Sequence, residues 1–269
     1  MVEPLKELNR ICQKPRYKEV GNWMVRHILR DAALPVTWVL LHTPITANQV
    51  TLISLIVGLI GIIFFALPPF FFLIGTLLLQ LWYLLDHVDG QIARYRKTAS
   101  LTGRFFDFMM HHIIHISILF SLGVYSFFLT QQFLFVLWGF VSSVALLVFN
   151  LIHDVKYKTF FERLAVLEKP FSVRSSDACQ SMNGAKEFTV SRKVFSVLHK
   201  ACEVHVLMNI LTLAALLQVF TSLSLDLRFF LFLFYGIAAP LLAVVKLSYL
   251  IGGKKIDEEF QSQFMNSSF

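Results

Sequence analysis

Long apolar stretches separated by short polar breaks run through most of this chain. The first 25 residues differ: they are polar and basic (Lys6, Arg10, Lys14, Arg16, Lys18), with Leu5, Leu8 and Ile11 at helical spacing. That stretch reads either as a loose tail or as a helix lying on a membrane surface. Residues 27–43 are apolar but short and hold Arg30, Asp31 and Pro35, which suits an interfacial helix better than a span. The run Thr43-Pro44-Ile-Thr46-Ala-Asn48 then breaks the chain and offers Thr46 or Asn48 as a helix N-cap. Six apolar stretches follow, near 48–67, 70–94, 103–128, 132–153, 204–223 and 229–251, each long enough to predict a transmembrane helix.

The expected fold is therefore all-α and polytopic, with six transmembrane helices and an N-terminal interfacial helix. It divides into an N-terminal segment (1–46), a six-helix membrane domain (47–252) and a tail (253–269). A long stretch rich in Lys and Arg, 154–203, interrupts the domain between the fourth and fifth spans. The tail from Lys254 to Phe269 is acidic and then polar, which predicts frayed chain.

Composition agrees with this reading. Of 269 residues, 56% are hydrophobic, well above a soluble domain. The net charge of +7 would suit nucleic acid, but the basic residues lie between apolar spans, where topology and anionic lipid explain them, so no nucleic-acid partner is expected. The three cysteines (Cys12, Cys179, Cys202) have neither metal-site spacing nor an even count for a disulfide framework. The charged start predicts no cleavable signal peptide. With six spans, the N-terminal segment, the 95–104 linker, 154–203 and the C-terminus share one side. The loops near 68, 129 and 226 share the other and carry only Arg228. The positive-inside rule then places both termini in the cytoplasm.

Charged residues inside apolar runs are the candidate chemistry, because a carboxylate at the centre of a membrane helix costs about 3 kcal/mol on insertion scales. The chain reads Asp86-His-Val-Asp89-Gly90-Gln-Ile-Ala93-Arg94 and, eight residues later, Gly103-Arg-Phe-Phe-Asp107-Phe-Met-Met-His111-His112. Asp86 and Asp89 share a helix face, and so do Asp107 and His111 on the next helix. If the two helices are neighbours, three carboxylates and an imidazole converge, a set suited to Mg²⁺ or Mn²⁺ bound with substrate phosphates. Gly90 and Gly103 leave backbone open to a ligand, and Arg94 offers a phosphate fork.

The pattern resembles the CDP-alcohol phosphotransferases, whose motif is D-x2-D-G-x2-A-R-x8-G-x3-D-x3-D. Seven of the eight fixed motif positions match in order; the eighth, an Asp in the family, is His111 here. The resemblance implies an integral-membrane enzyme of phospholipid biosynthesis that moves a phosphoalcohol group, in this reading a phosphatidyl group, from a CDP-linked donor to a hydroxyl, with release of CMP. It implies two divalent ions at Asp86, Asp89 and Asp107, with His111 a further candidate ligand. It also implies CDP contacts around Asp86, Asp89, Gly90, Ala93, Arg94 and Gly103, and a homodimer in the lipid bilayer; the positive-inside count places the motif with the termini on the cytoplasmic side. The favoured donor is of the CDP-diacylglycerol type, with a polar acceptor.

Three readings of His111 stand open: general base in place of the Asp, metal ligand, or a mark of lost catalysis. An imidazole titrates nearer neutral pH than a carboxylate, which suits proton removal. His115, one turn deeper on the same face, either hydrogen-bonds His111, lines an acceptor pocket or simply packs. Arg104 and His205 are weaker acceptor-pocket candidates, and His87 points off the Asp86–Asp89 face. Two other classes compete: a catalytically silent relative that binds nucleotide or lipid as a regulatory subunit, and a cation transporter. No ladder of charges crosses the bilayer, which weighs against the transporter.

Overall fold

The computed structural model describes residues 2–13, 23–166, 197–221 and 225–265, and every regular element among them is helical. In chain order these are α1 (Leu5–Cys12), a π-helical turn (Val25–Leu29) running into α2 (Arg30–Leu41), α3 (Ala47–Ile63), α4 (Pro69–Tyr95), α5 (Leu101–Thr130), α6 (Leu134–Val166), α7 (Val204–Phe220), α8 (Leu227–Gly252) and α9 (Lys255–Phe260). Helices α4, α5, α6 and α8, and α3 together with the 3₁₀ turn Phe64–Ala66 that carries it to 20 residues, are long and apolar enough to cross a bilayer; α7 is apolar but has 17 residues. At about 1.5 Å per residue that is roughly 26 Å, short of a hydrocarbon core of about 30 Å but within the range of a span. The chain is an all-α, multi-pass membrane protein.

Without a hydrophobic drive between helices in lipid, close backbone approach and interhelical hydrogen bonds must hold the bundle. Both are present. Helices α5 and α6 meet at Gly123 and Gly139, where a Cβ on Gly123 would stand 2.7 Å from the Gly139 Cα. Trp138 Nε1 and the Ser142 hydroxyl on α6 both donate to the Gly236 carbonyl of α8, at 2.9 and 3.1 Å. Gln80 of α4 donates to Asn209 and Thr212 of α7, at 3.0 and 3.1 Å. Around these contacts Trp82, Ile114, Leu207 and Tyr235 are buried in one continuous core.

Arg228, the lone basic residue of the loops on one side, is only 1% exposed. Its guanidinium donates to the Phe65 and Leu67 carbonyls and pairs with Asp226, and it stacks 3.7 Å from the Tyr125 ring centre. The arginine thus ties the ends of α3, α5 and α8 together.

Two expectations are corrected. The helix of the fourth span does not end with the apolar run near 153: α6 continues to Val166, supported by the Lys158–Glu162 pair one turn apart at 3.9 Å. The tail is not frayed over its described part. After Lys254 turns the chain at φ 48, α9 packs back on the α6 extension, with Lys156 Nζ 2.7 Å from Glu259 and the Phe160 ring against Phe260 and Phe264. Residues 167–196, most of the basic stretch, lie outside the described residues, as do 14–22, 222–224 and 266–269.

At the other end of the sequence, α1 does form, burying Leu8 and Cys12 and leaving Leu5 and Ile11 exposed. It leans on the α4 terminus rather than lying alone: the Tyr95 hydroxyl donates to Glu3, and Arg94 Nε donates to the Cys12 carbonyl. The first bond holds the Glu3 carboxyl below the usual carboxylate range; burial pushes the Cys12 thiol up to about 11.

Candidate active site

The site forms where α4 ends and α5 begins. Thr46 caps α3 with a reciprocal Gln49 capping box, and Ser100 caps α5 by accepting from the Gly103 N–H at 3.0 Å. Between α4 and α5 the chain turns at Lys97, φ 56, and the Thr98 N–H returns to the Ala93 carbonyl at 2.9 Å. Arg96 locks this turn to the loop before α3 by donating to the Thr43 and Ile45 carbonyls. Both motif halves are therefore held at one end of the bundle.

There a cavity of about 270 Å³ opens. Helix α4 lines it with Asp86, His87, Asp89, Gly90, Gln91, Ala93 and Arg94, and α5 with Gly103, Arg104 and Asp107. The position of Gly90 is occupied from outside: a Cβ there would sit 3.1 Å from an Arg94 Nη. Gly103 lets α5 approach the Asn48 side chain, 3.3 Å from where its Cβ would be.

His111 is not itself in the lining. It reaches the site through the carboxylates: Nε2 lies 2.8 Å from Asp86 Oδ1 and 3.4 Å from Asp107 Oδ1. These three side chains offer donor atoms within 4.8 Å of one another, the metal-competent cluster among the described residues. Two carboxylates and an imidazole fit a divalent cation, with the imidazole favouring the softer Mn²⁺ over Mg²⁺. Asp89 stands apart from that cluster. It is 7% exposed and accepts a hydrogen bond from the Thr51 hydroxyl on α3.

The remaining histidines divide. His87 touches the site more closely than its position off the aspartate face suggests: it lines the cavity, lies 3.5 Å from Asp86 Oδ2, and has Nδ1 2.9 Å from the Tyr83 carbonyl. His115 packs its ring 5.9 Å from that of His111, with Nδ1 buried and without a hydrogen-bond partner. His112 turns to Asp154 on α6, at 3.6 Å. His205 pairs with Glu203 at 3.2 Å. Neither His115 nor His205 lines the cavity, whereas Arg104 does.

Sequence reasoning overlooked the wall opposite the motif. Asn48 and Thr51 line the cavity from α3, three residues apart on one face; as polar positions opening an apolar span they were a readable signal. Gln13 and Arg30 line it from the N-terminal segment, and nothing in their local pattern marks them.

Residues 44–168 match the family model described as CDP-alcohol phosphatidyltransferase, which takes in α3 to α6 and the whole cavity wall contributed by α4 and α5. Among curated proteins, none matches the chain.

Proposed function

We propose, with residues 44–168 a CDP-alcohol phosphatidyltransferase domain, that this protein transfers a phosphatidyl group from a CDP-diacylglycerol-type donor to the hydroxyl of a polar acceptor and releases CMP. The observation that carries the reading is the approach of His111 Nε2 to both Asp86 and Asp107, beside a cavity that also presents Asp89 and Arg94.

Asp86 and Asp107 would hold one divalent ion, Mg²⁺ or Mn²⁺, and Asp89 would share a second that arrives with the donor, which leaves His111 Nε2 free to act as the base. Bound there, such ions supply neutralisation of the diphosphate charge. The chain's own groups do the rest. Arg94 takes phosphate oxygens with its forked guanidinium, which lies in the space that Gly90 leaves free of a side chain. The acceptor oxygen forms its bond to the phosphorus that carries the diacylglycerol, the bond from that phosphorus to the oxygen of CMP breaks, and CMP leaves with the electron pair. The acceptor's proton goes to His111 Nε2. Asp86, 2.8 Å away, steadies the resulting imidazolium.

The same end of the bundle carries α1, α9 and the basic residues Lys156, Lys158 and Arg163 at the end of α6, while the opposite loops carry only Arg228, so the active site and both termini face the cytoplasm in this reading.

The test is CMP release by purified protein given CDP-diacylglycerol, Mg²⁺ or Mn²⁺ and a panel of polar acceptors, beside His111→Ala and His111→Asp. Release lost in the Ala variant and kept in the Asp variant supports the transferase with His111 as base. Donor binding without release under any metal instead supports the silent relative, the reading that His111 in place of an aspartate favours.

A further inference from the structure

The cavity is not completed by the family-matched domain. Two of its walls come from residues that precede residue 44, Gln13 after α1 and Arg30 at the start of α2. Arg30 is held there with care. Its carbonyl accepts from Gln91 Nε2 at 3.0 Å and from Gln13 Nε2 at 3.4 Å. Gln91, 1% exposed, is itself fixed by the Thr37 hydroxyl at 2.6 Å. The segment reaches this anchor through the π-helical turn Val25–Leu29, whose extra residue per turn shifts the register of α2 immediately before Arg30. Single π-turns of this kind recur at functional sites.

Charge gives the placement a purpose. Three carboxylates face the cavity, Asp86, Asp89 and Asp107. Arg94 and Arg104 supply two positive charges from the matched domain, and Arg30 supplies the third. Arg30 shares the lining of this cavity with His87 and Arg94. A polyanion entering a cavity walled by three carboxylates needs such a counterweight, and a guanidinium gives it two parallel donors.

We propose that Arg30, outside the family domain, is a donor-binding residue that grips the diphosphate of the CDP moiety, with Gln13 and Gln91 as the positioning residues that hold it. This rests on the reading that the cavity takes a CDP-linked donor.

The experiment is titration calorimetry of the full-length protein in detergent with Mg²⁺ and, in turn, CDP, CMP and cytidine. Wild type, Arg30→Gln, Arg30→Lys and the exposed neighbour Asp31→Asn are compared. Expected is a loss of about tenfold in CDP affinity for Arg30→Gln, the scale of one charge-assisted hydrogen bond. A smaller loss is expected for Arg30→Lys, little change for cytidine, and none for Asp31→Asn. CDP affinity unchanged in both Arg30 variants overturns the proposal and leaves the transferase reading intact. An equal loss for CDP and cytidine also overturns it, because the effect would then lie in the shape of the pocket. Should Arg30→Gln not fold, Arg30→Lys alone decides between the first two outcomes. A wild-type protein that binds none of the three ligands overturns both readings together.

Discussion

The Thr51 hydroxyl donates a hydrogen bond to Asp89 Oδ2 across the α3–α4 contact, and this separates Asp89 from the carboxylates that face His111. Two of the three aspartates thus form one cluster with an imidazole, and the third is tethered to a different helix.

Removing that tether tests its value. Thr51→Val keeps the shape but deletes the donor, and a hydrogen bond to a charged group is worth about 1.5–3 kcal/mol. The expected result is a fall of roughly tenfold or more in kcat/KM for the CDP-linked donor, measured by CMP release, with Thr51→Ser close to wild type. Equal kinetics in all three proteins would show that Asp89 needs no orienting partner.

Metal preference should respond to the side chain at position 111. His111→Asp puts a third carboxylate into the cluster with Asp86 and Asp107, so it should move the ratio of Mn²⁺ to Mg²⁺ activity toward Mg²⁺. The same rate assay run across both ions checks this. A ratio untouched by the substitution places position 111 out of reach of the ion.

The thiols report whether α1 stays docked. Cys12 and Cys202 are buried, and burial pushes both thiols up to about 11, so each is a neutral thiol at pH 8. Only the thiolate reacts rapidly. In a Cys179→Ser background, no thiol of the folded protein should react with a chromogenic disulfide at pH 8, and two should react in denaturant. Reactivity should rise only as pH climbs toward about 11. Prompt labelling of Cys12 at pH 8 would mean that α1 leaves the α4 terminus.

Packing in the bundle is equally checkable. Gly123→Leu forces side-chain atoms onto the Gly139 backbone and should cost about 1–3 kcal/mol or more, seen as a lower Tm in detergent. Gly252→Ala, where a Cβ meets nothing within 4 Å, is the control and should leave Tm unchanged.

Arg228 gives the largest expected loss. Replacing it by Met takes the guanidinium from Asp226, which keeps the Tyr125 hydroxyl, and leaves the Phe65 and Leu67 carbonyls without that donor; breaking a buried pair of this kind costs about 3–5 kcal/mol. The variant should melt well below wild type, while the cavity lies at the other end of α3 and α4, so CMP release per folded molecule should stay near wild type.

Much of this was legible in the chain because the bilayer allows few structures. Apolar runs of bilayer length had to become helices, and aspartates three apart on one of them had to share a face. What the pattern could not supply was contact between distant segments. Thr51 and Asp89 are 38 residues apart, and Arg94 and the Cys12 carbonyl 82. Nothing local marks such pairs. The end of α6 was misjudged for a related reason: Asp154, Lys156 and Lys158 read as loop beyond a span, yet a helix leaving the membrane needs only water and the returning tail to continue.

The bond from Arg94 to Cys12 also fixes an order of events during synthesis. The first thirteen residues are made long before the helix that receives them, so α1 has no seat until α4 has been threaded and has turned at Lys97. A half-made chain therefore owns neither a finished cavity nor a settled α1. Completion of the pocket comes after insertion, and a fusion partner that pins the N-terminus elsewhere would leave a fully inserted protein with an open site.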